Sequence, residues 1–350
     1  MKKYFLIASL FLAVFISACG DKKTEQPENA QLDSTMYVYD STEIKSQPIE
    51  DSSAFQLSYN FSKGEKVRYR LSTISDNVQT LTTDTSITMK LHQEVVYVFD
   101  FLPKEIDKDG VVEADINILG VKLSANVNGE KFEFEAGKSN DSTQMVRFAE
   151  FLALWNNPFS IRFNKAGEVL EVFRADKIAK KFFNLRNADT VDTQTKNMVK
   201  DDMVSSVLKP LVLQVIRKMP EQKLAKDSSW SIPQPPMQVM VFQLSFTNKY
   251  KIKQLEKLSD SRLAVIEAGM DYSVTGNNRV EERGIVYNFK KPVSTGEGTI
   301  YFNIDKGRIQ KSKTKSYTET SFTFDAPTPK GKQKGSRKET VSNTSILEML

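Results

Sequence analysis

A long run of two-residue alternation limits what this chain can fold into more than any other feature. From Ile87 the apolar side chains fall on Ile87, Met89, Leu91, Val95, Tyr97 and Phe99, while Thr88, Lys90, His92, Glu94 and Asp100 take the other side. A period of two puts each set on its own face of an extended backbone, so the run predicts a long half-buried strand. Upstream, Val67, Tyr69 and Leu71 alternate with Lys66, Arg68 and Arg70 behind the turn Ser62-Lys63-Gly64-Glu65. Downstream, Asp107-Lys108-Asp109-Gly110 reads as a turn, and Ala114, Ile116 and Ile118 alternate with Glu113, Asp115 and Asn117. Val121, Leu123, Ala125 and Val127 lead into Asn128-Gly129 and then Phe132 and Phe134, the pattern of a hairpin closed by a tight two-residue turn.

The period changes in the middle of the chain. Phe148, Phe151, Leu152 and Trp155 predict a short helix stopped at Asn157-Pro158, and Phe159–Phe163 with Val169–Phe173 predict a hairpin turning at Asn164–Gly167. Ile178, Phe182 and Leu185 fit one helix. Met198, Val199, Met203, Val207, Leu211, Val215 and Met219 recur at three-to-four spacing through another, which Pro210 should kink or divide. A helical insert is therefore expected at about 175–219. Strand character returns over 238–255, 262–275, 298–304 and 307–324, with a turn at Asp305-Lys306-Gly307. Pro327, Pro329 and several Lys suggest a flexible basic loop at about 326–338, and Thr340–Leu350 could close the sheet. Strands at both ends around a helical insert give an α+β body, mostly antiparallel sheet.

The first 18 residues read as an export signal. Lys2 and Lys3 precede an apolar run from Tyr4 to Ile16 that is too short for a bilayer crossing of roughly 20 residues. It ends in Ile16-Ser17-Ala18-Cys19-Gly20, which looks like a lipobox, so Cys19 is expected to carry acyl chains as the first residue of the mature protein. Cys19 is the only cysteine of the 350 residues, which rules out an internal disulfide. Residues 19–54 are polar with almost no aliphatic periodicity and read as a disordered tether, although Met36-Tyr37-Val38-Tyr39 offers a patch that could dock on the body. The folded body is expected over 55–350. Over that span 44 basic side chains face 36 acidic ones, an excess that suits anionic lipid or glycan and is also ordinary for a solvated surface.

Catalytic signatures are sparse. His92 is the single imidazole, it falls on the polar side of its strand, and no Gly-x-Ser-x-Gly accompanies it. The chain carries no phosphate loop and no Gly-x-Gly-x-x-Gly, and with Cys19 acylated it offers no thiolate site. Asp107, Asp109, Glu113 and Asp115 cluster near one turn, as do Glu281 and Glu282 elsewhere. Paired acids can hydrolyse glycosides, but solvated turn charge is the plainer reading. No catalytic residue, metal site or cofactor is assigned, and no nucleic-acid partner is expected. Phe148, Phe151, Trp155, Phe159, Phe182 and Phe183 could line a pocket for an acyl chain, or simply join helices to sheet.

The chain resembles a family of uncharacterised envelope lipoproteins of Gram-negative bacteria. The resemblance rests on the lipobox at Cys19, on Phe61–Tyr69, on Pro158–Ile161 with Gly167-Glu168-Val169, on Asp227–Trp230, and on Gly296–Ile300 with the turn at Gly307. It implies β-rich domains and brings no activity. The expectation is a noncatalytic binding or accessory lipoprotein, on the periplasmic face or surface of the outer membrane rather than on the inner membrane. Its ligand would be a lipid, a glycan or a protein. The alternatives are a structural subunit of an envelope complex and a carboxylate-dependent hydrolase.

Overall fold

Alternating runs of this length bury their apolar faces by pairing into sheet. The computed structural model describes residues 32–51, 53–138, 141–328 and 331–350. The export signal, Cys19 and the tether up to residue 31 lie outside the described residues. In chain order come β1 (Gln47–Ile49), β2 (Val67–Thr82), β3 (Ser86–Ile106), β4 (Val112–Val127) and β5 (Glu130–Glu135). The helical region holds α1 (Ser142–Arg147), α2 (Ala149–Leu154), β6 (Phe159–Phe163), β7 (Val169–Phe173), α3 (Asp176–Leu185), α4 (Thr193–Met203) and α5 (Lys209–Val215). The C-terminal part holds β8 (Ser229–Pro233), β9 (Met237–Val239), β10 (Phe242–Leu258), β11 (Ser261–Gly276), β12 (Arg279–Glu282), β13 (Ile285–Asn303), β14 (Arg308–Thr328) and β15 (Gly331–Met349).

Among the described residues these strands make one 15-stranded sheet in the order β1-β10-β11-β13-β14-β15-β2-β3-β4-β6-β7, with β5, β8, β9 and β12 pairing at the margins. Its ladders are antiparallel; β15, the last strand, pairs with β2 and so joins the two halves of the chain. The Asn128-Gly129 turn forms as expected, with both residues at positive φ between paired Val127 and Glu130.

The sheet curls. Phe163 of β6 and Phe302 of β13 are six strands apart in the order, which in a flat sheet is about 29 Å at ~4.8 Å per strand. Both rings meet Tyr59, at 6.0 and 5.5 Å between centroids, so they are no more than about 12 Å apart. The concave face at this end is filled by Phe55, Leu57, Tyr59 and Phe61 and by α2, α3 and α5, against Tyr69, Phe99, Phe101, Ile116, Ile266, Ile300 and Leu347. Each such large side chain contributes about 1.5–3 kcal/mol on burial.

The segment from Leu32 to Ile49 crosses the convex face as a strap. Tyr37 packs on Val96 and Val98 of β3, and the Met36 carbonyl accepts from Arg70 of β2 at 3.3 Å. Asp40 receives Lys311 of β14 at 3.4 Å, its amide donates to Glu348 of β15, and Lys313 donates to the Ser41 carbonyl at 2.9 Å. Ile44 then lies on Leu263, Val265 and Tyr301, and β1 joins the β10 edge. Past that edge the chain returns along the concave face, from the Phe55–Leu224 bridge to Asn60, whose amide donates to Gly307 at 3.0 Å. Residues 32–61 thus clamp both faces. Gly120 of β4 makes room for the strap, since a Cβ there would stand 2.3 Å from the Tyr37 hydroxyl.

These observations correct three expectations. The tether expected to run to residue 54 is docked from Leu32 onward, because its few apolar side chains find sockets on the outer sheet face. The flexible basic loop at 326–338 is instead the end of β14 and the start of β15, with Thr328 paired to Gly331 and residues 329–330 outside the described residues. This Lys- and Gly-rich stretch holds as strand because its neighbour supplies the apolar cover, the Phe324 ring lying over Gly335. Helix also falls outside 175–219: α2 is the short helix that Phe148–Trp155 predicted, while α1 is one that the sequence did not mark. Within the insert, Pro210 opens α5 after a π-helical turn at Val204–Leu208, the division that its position implies.

Candidate ligand-binding face

The inner face changes character along the same strands. From the filled end outward, the inner residues of β13 run Phe302, Ile300, Gly298, Gly296 and Ser294, opposite Ile309, Ser312, Thr314, Ser316 and Thr318 of β14. Helices no longer cover this stretch; Ser316 and Asn343 are exposed, while Ser294 and Thr320 nearer the tip are buried. Small and polar side chains therefore floor a trough between the filled core and the far tip.

At the tip the face turns aromatic. A β-bulge between Lys290 and Val293 shifts the β13 register by one residue, which puts Phe289 and Tyr287, rather than Lys290 and Asn288, on the inner side. They pair with Phe322 and Phe324 of β14, with ring centroids 5.2 Å apart for Phe289–Phe322 and 5.8 Å for Tyr287–Phe322. Phe246 of β10 and Tyr272 of β11 stand across from each other at 6.3 Å. Phe246 and Phe289 also pack on Val239, Phe242 and Leu244. All six rings are half-buried. Six aromatic rings share one concave face beside the trough, an arrangement that can offer apolar contact area without a closed cavity.

The aromatics singled out in the sequence lie at the other end. Phe148, Phe151, Phe159 and Phe183 are buried, while Trp155 and Phe182 are half-buried against the same core. Phe148 stacks on Phe134 at 4.5 Å, the Trp155 indole N–H donates to the Leu119 carbonyl at 3.0 Å, and Phe182 meets Phe183 at 5.7 Å.

The polar candidates are scattered: His92, Glu113 and Asp115 sit on the outer face, Asp107 in a turn, and Glu281 and Glu282 on opposite sides of β12. His92 is directly across from Asp76 in the β2–β3 ladder, its Nδ1 2.8 Å from Asp76 Oδ1, in an open depression of about 790 Å³ that Lys90, Asn126 and Asn128 also border. Both side chains of the pair are about half exposed. Asp107 caps its own turn, accepting from the amides of Asp109 and Val111 at 2.9 Å. Glu113 is held by Arg162 at 3.2 Å and Arg174 at 3.1 Å, while Asp115 accepts from Ser160 at 2.6 Å. Glu281 and Glu282 are exposed on β12. Among the described residues no group of three or more His, Cys, Asp or Glu side chains is placed to hold a metal ion.

Burial raises several phenols. Tyr37 under the strap is pushed up to about 12 by desolvation, with the Glu135 charge adding to it. Asp40, on the strap, is drawn down to about 2 by the Thr42 hydroxyl and amide, with Lys311 assisting.

Comparison with known proteins gives a family match without an activity. The model of a family of unknown function (DUF6263) matches residues 109–309. No curated protein matches the sequence. Among solved structures, one described as lipid-protein interactions in lipovitellin has 9% identity and a TM-score of 0.40 over 83% of this chain, which spans 25% of the lipovitellin chain. The COG4313 outer membrane channel from Pseudomonas putida F1 has 6% identity and a TM-score of 0.19, covering 83% of this chain and 97% of its own. Acinetobacter baumannii OccAB4 has 6% identity and a TM-score of 0.19, covering 81% and 99%. At these scores neither fold nor function passes from those proteins to this chain.

Proposed function

The chain belongs to the family of unknown function DUF6263, and on that premise we propose that it is a noncatalytic, lipid-anchored binding protein of the bacterial envelope that holds an apolar chain on the inner face of its sheet. The single observation that carries this reading is the contrast along that face. One end is closed by helices and by residues 55–61; the other presents Phe246, Tyr272, Tyr287, Phe289, Phe322 and Phe324 half-buried beside an open trough. An apolar surface retained on a concave face, away from the core it could have joined, is suited to a transient apolar occupant.

Support for the location is the lipobox-like Ile16–Gly20, which places the acylated Cys19 13 residues before the docked strap begins at Leu32. Acyl chains there would hold the body at a membrane at about 0.8 kcal/mol per buried methylene. The noncatalytic reading draws on the acids. Glu113 and Asp115 are engaged by arginine and serine, and the His92–Asp76 pair is a solvent-facing cross-strand contact.

The test is titration of the purified protein with N-phenyl-1-naphthylamine, a neutral fluorophore that brightens in apolar surroundings. Saturable binding is expected, weakened at least tenfold in the double variant Phe289→Ser, Phe322→Ser while far-UV circular dichroism stays unchanged. Absence of saturable binding, or equal binding by the double variant, overturns the reading.

A further inference from the structure

The depression around His92 lies on the convex face, on the side of the sheet away from the aromatic rings. There the outer side chains of β2, β3 and β4 fall into rows. Asp76, His92 and Asn126 stand abreast in one row and Val78 and Lys90 in the next, with Asn128 beside Lys90. All six line the recess of about 790 Å³, a size within the ~300–1,000 Å³ of clefts that hold small ligands. Same-face neighbours are about 6.6 Å apart along a strand and ~4.8 Å apart between strands, so the polar groups form a grid.

Hydrogen bonds fix the orientation of these groups and leave one end of each unused. Asn126 Oδ1 accepts from the Gly129 amide and Asn128 Oδ1 from the Lys90 amide, both at 2.8 Å. Each side-chain amide is thereby held with its NH2 turned from the backbone it caps, and among the described residues neither nitrogen has a partner. His92 Nδ1 faces Asp76 Oδ1 at 2.8 Å. A carboxylate accepts only, so the neutral ring carries its proton on Nδ1, and Nε2 and Asp76 Oδ2 are left as acceptors. Lys90 is exposed and forms no ion pair among the described residues, which makes its ammonium a further donor.

Three donors and two acceptors share one recess, and the Lys90 and Asp76 charges offset each other. That balance suits neither a metal ion nor an anion. It suits a ligand that gives and takes hydrogen bonds at several points, as hydroxyls do, and Val78 adds apolar contact for C–H groups. The geometry points to this recess as a binding site for an uncharged glycan, separate from the proposed apolar-chain role on the opposite face. Asn126, Asn128 and Lys90 donate to the sugar oxygens, while His92 and Asp76 accept from its hydroxyls.

N-acetylchitotetraose and maltotetraose, one with acetamido groups and one with hydroxyls alone, are titrated into isotope-labelled protein while NMR follows the side-chain amides of Asn126 and Asn128. At least one sugar is expected to shift those signals saturably, with a dissociation constant of about 1 mM or tighter. The double variant Lys90→Ala, His92→Ala removes two exposed side chains and should weaken that binding at least tenfold with the melting temperature unchanged. The ring variant Phe289→Ser, Phe322→Ser should bind the sugar as the unaltered protein does. No saturable shift with either sugar, or equal binding by the Lys90→Ala, His92→Ala protein, would overturn the site and leave the apolar-face reading standing. Loss of sugar binding in the ring variant would put the sugar on the concave face and overturn the site as well.

Discussion

Strands β2 and β3 run through both ends of the sheet, and one ladder serves as core at one end and as surface at the other. In the filled half Tyr69 and Phe99 face each other fully buried, as do Val67 and Phe101 in the same ladder. In the open half the inner pairs are Gln79 with Met89 and Leu81 with Ile87, and Ile87 is 66% exposed. Register, twist and hydrogen bonding are continuous between them. What differs is the occupant of the concave side, which is protein at one end and, under the proposed function, a ligand at the other. Alternation in sequence therefore specifies a face, and only the rest of the chain decides whether that face is structural or functional.

The contrast can be broken most directly by truncating one ring at each end. Phe101→Ala should cost about 3–5 kcal/mol in urea unfolding, whereas Phe322→Ala should cost less than about 1.5 kcal/mol, since its ring is only half-buried and packs on neighbours that are themselves half-buried. Equal losses would make the tip part of the core. Glu348→Ala should cost about 3 kcal/mol, because Arg70 at 2.8 Å and Lys311 at 3.5 Å would be left with one fewer acid on a buried site. Gly120→Val drives a side chain into Tyr37 and should cost about 1–3 kcal/mol, with faster amide hydrogen exchange over 33–40 and none of it at the tip. A change that reached Phe322 would show the two ends to be coupled. The smallest effect is in titration. Asp40 is depressed in the fold, so its contribution to stability is present above the ordinary carboxylate value and fades as pH falls toward about 2. Thr42→Val should move the Asp40 carboxyl back toward the ordinary range in an NMR titration, with the melting temperature near neutral pH unchanged.

The sequence carried the filled end plainly. The alternation around Val67–Leu71, Ile87–Phe99 and Ala114–Val127 marked strands whose inner faces are the core, and the turn residues at Asp107–Gly110, Asn128-Gly129 and Asp305–Gly307 fixed the hairpins. The strap left a readable trace as well. Val95-Val96-Tyr97-Val98-Phe99 is apolar on both faces, which an exposed outer face does not need. Paired with the apolar Met36–Tyr39, it amounts to a docking signal, and the two do meet. The binding face was harder to see. The bulge at Lys290–Val293 breaks the period in the middle of β13, so Tyr287 and Phe289 look out of phase with Ile300 and Phe302 although they share a side. Residues 331–338 show no apolar alternation of their own, because Phe322 and Phe324 on the adjacent strand provide it.

The central claim is that the open half of the sheet is occupied in the cell. Native mass spectrometry of the protein, gently extracted from its own membranes, tests it most directly. The account predicts a chain beginning at an acylated Cys19 with a further noncovalent acyl-chain species, and loss of that species in the Phe289→Ser, Phe322→Ser variant. A bare chain, or a bound species that the double variant retains, would contradict it.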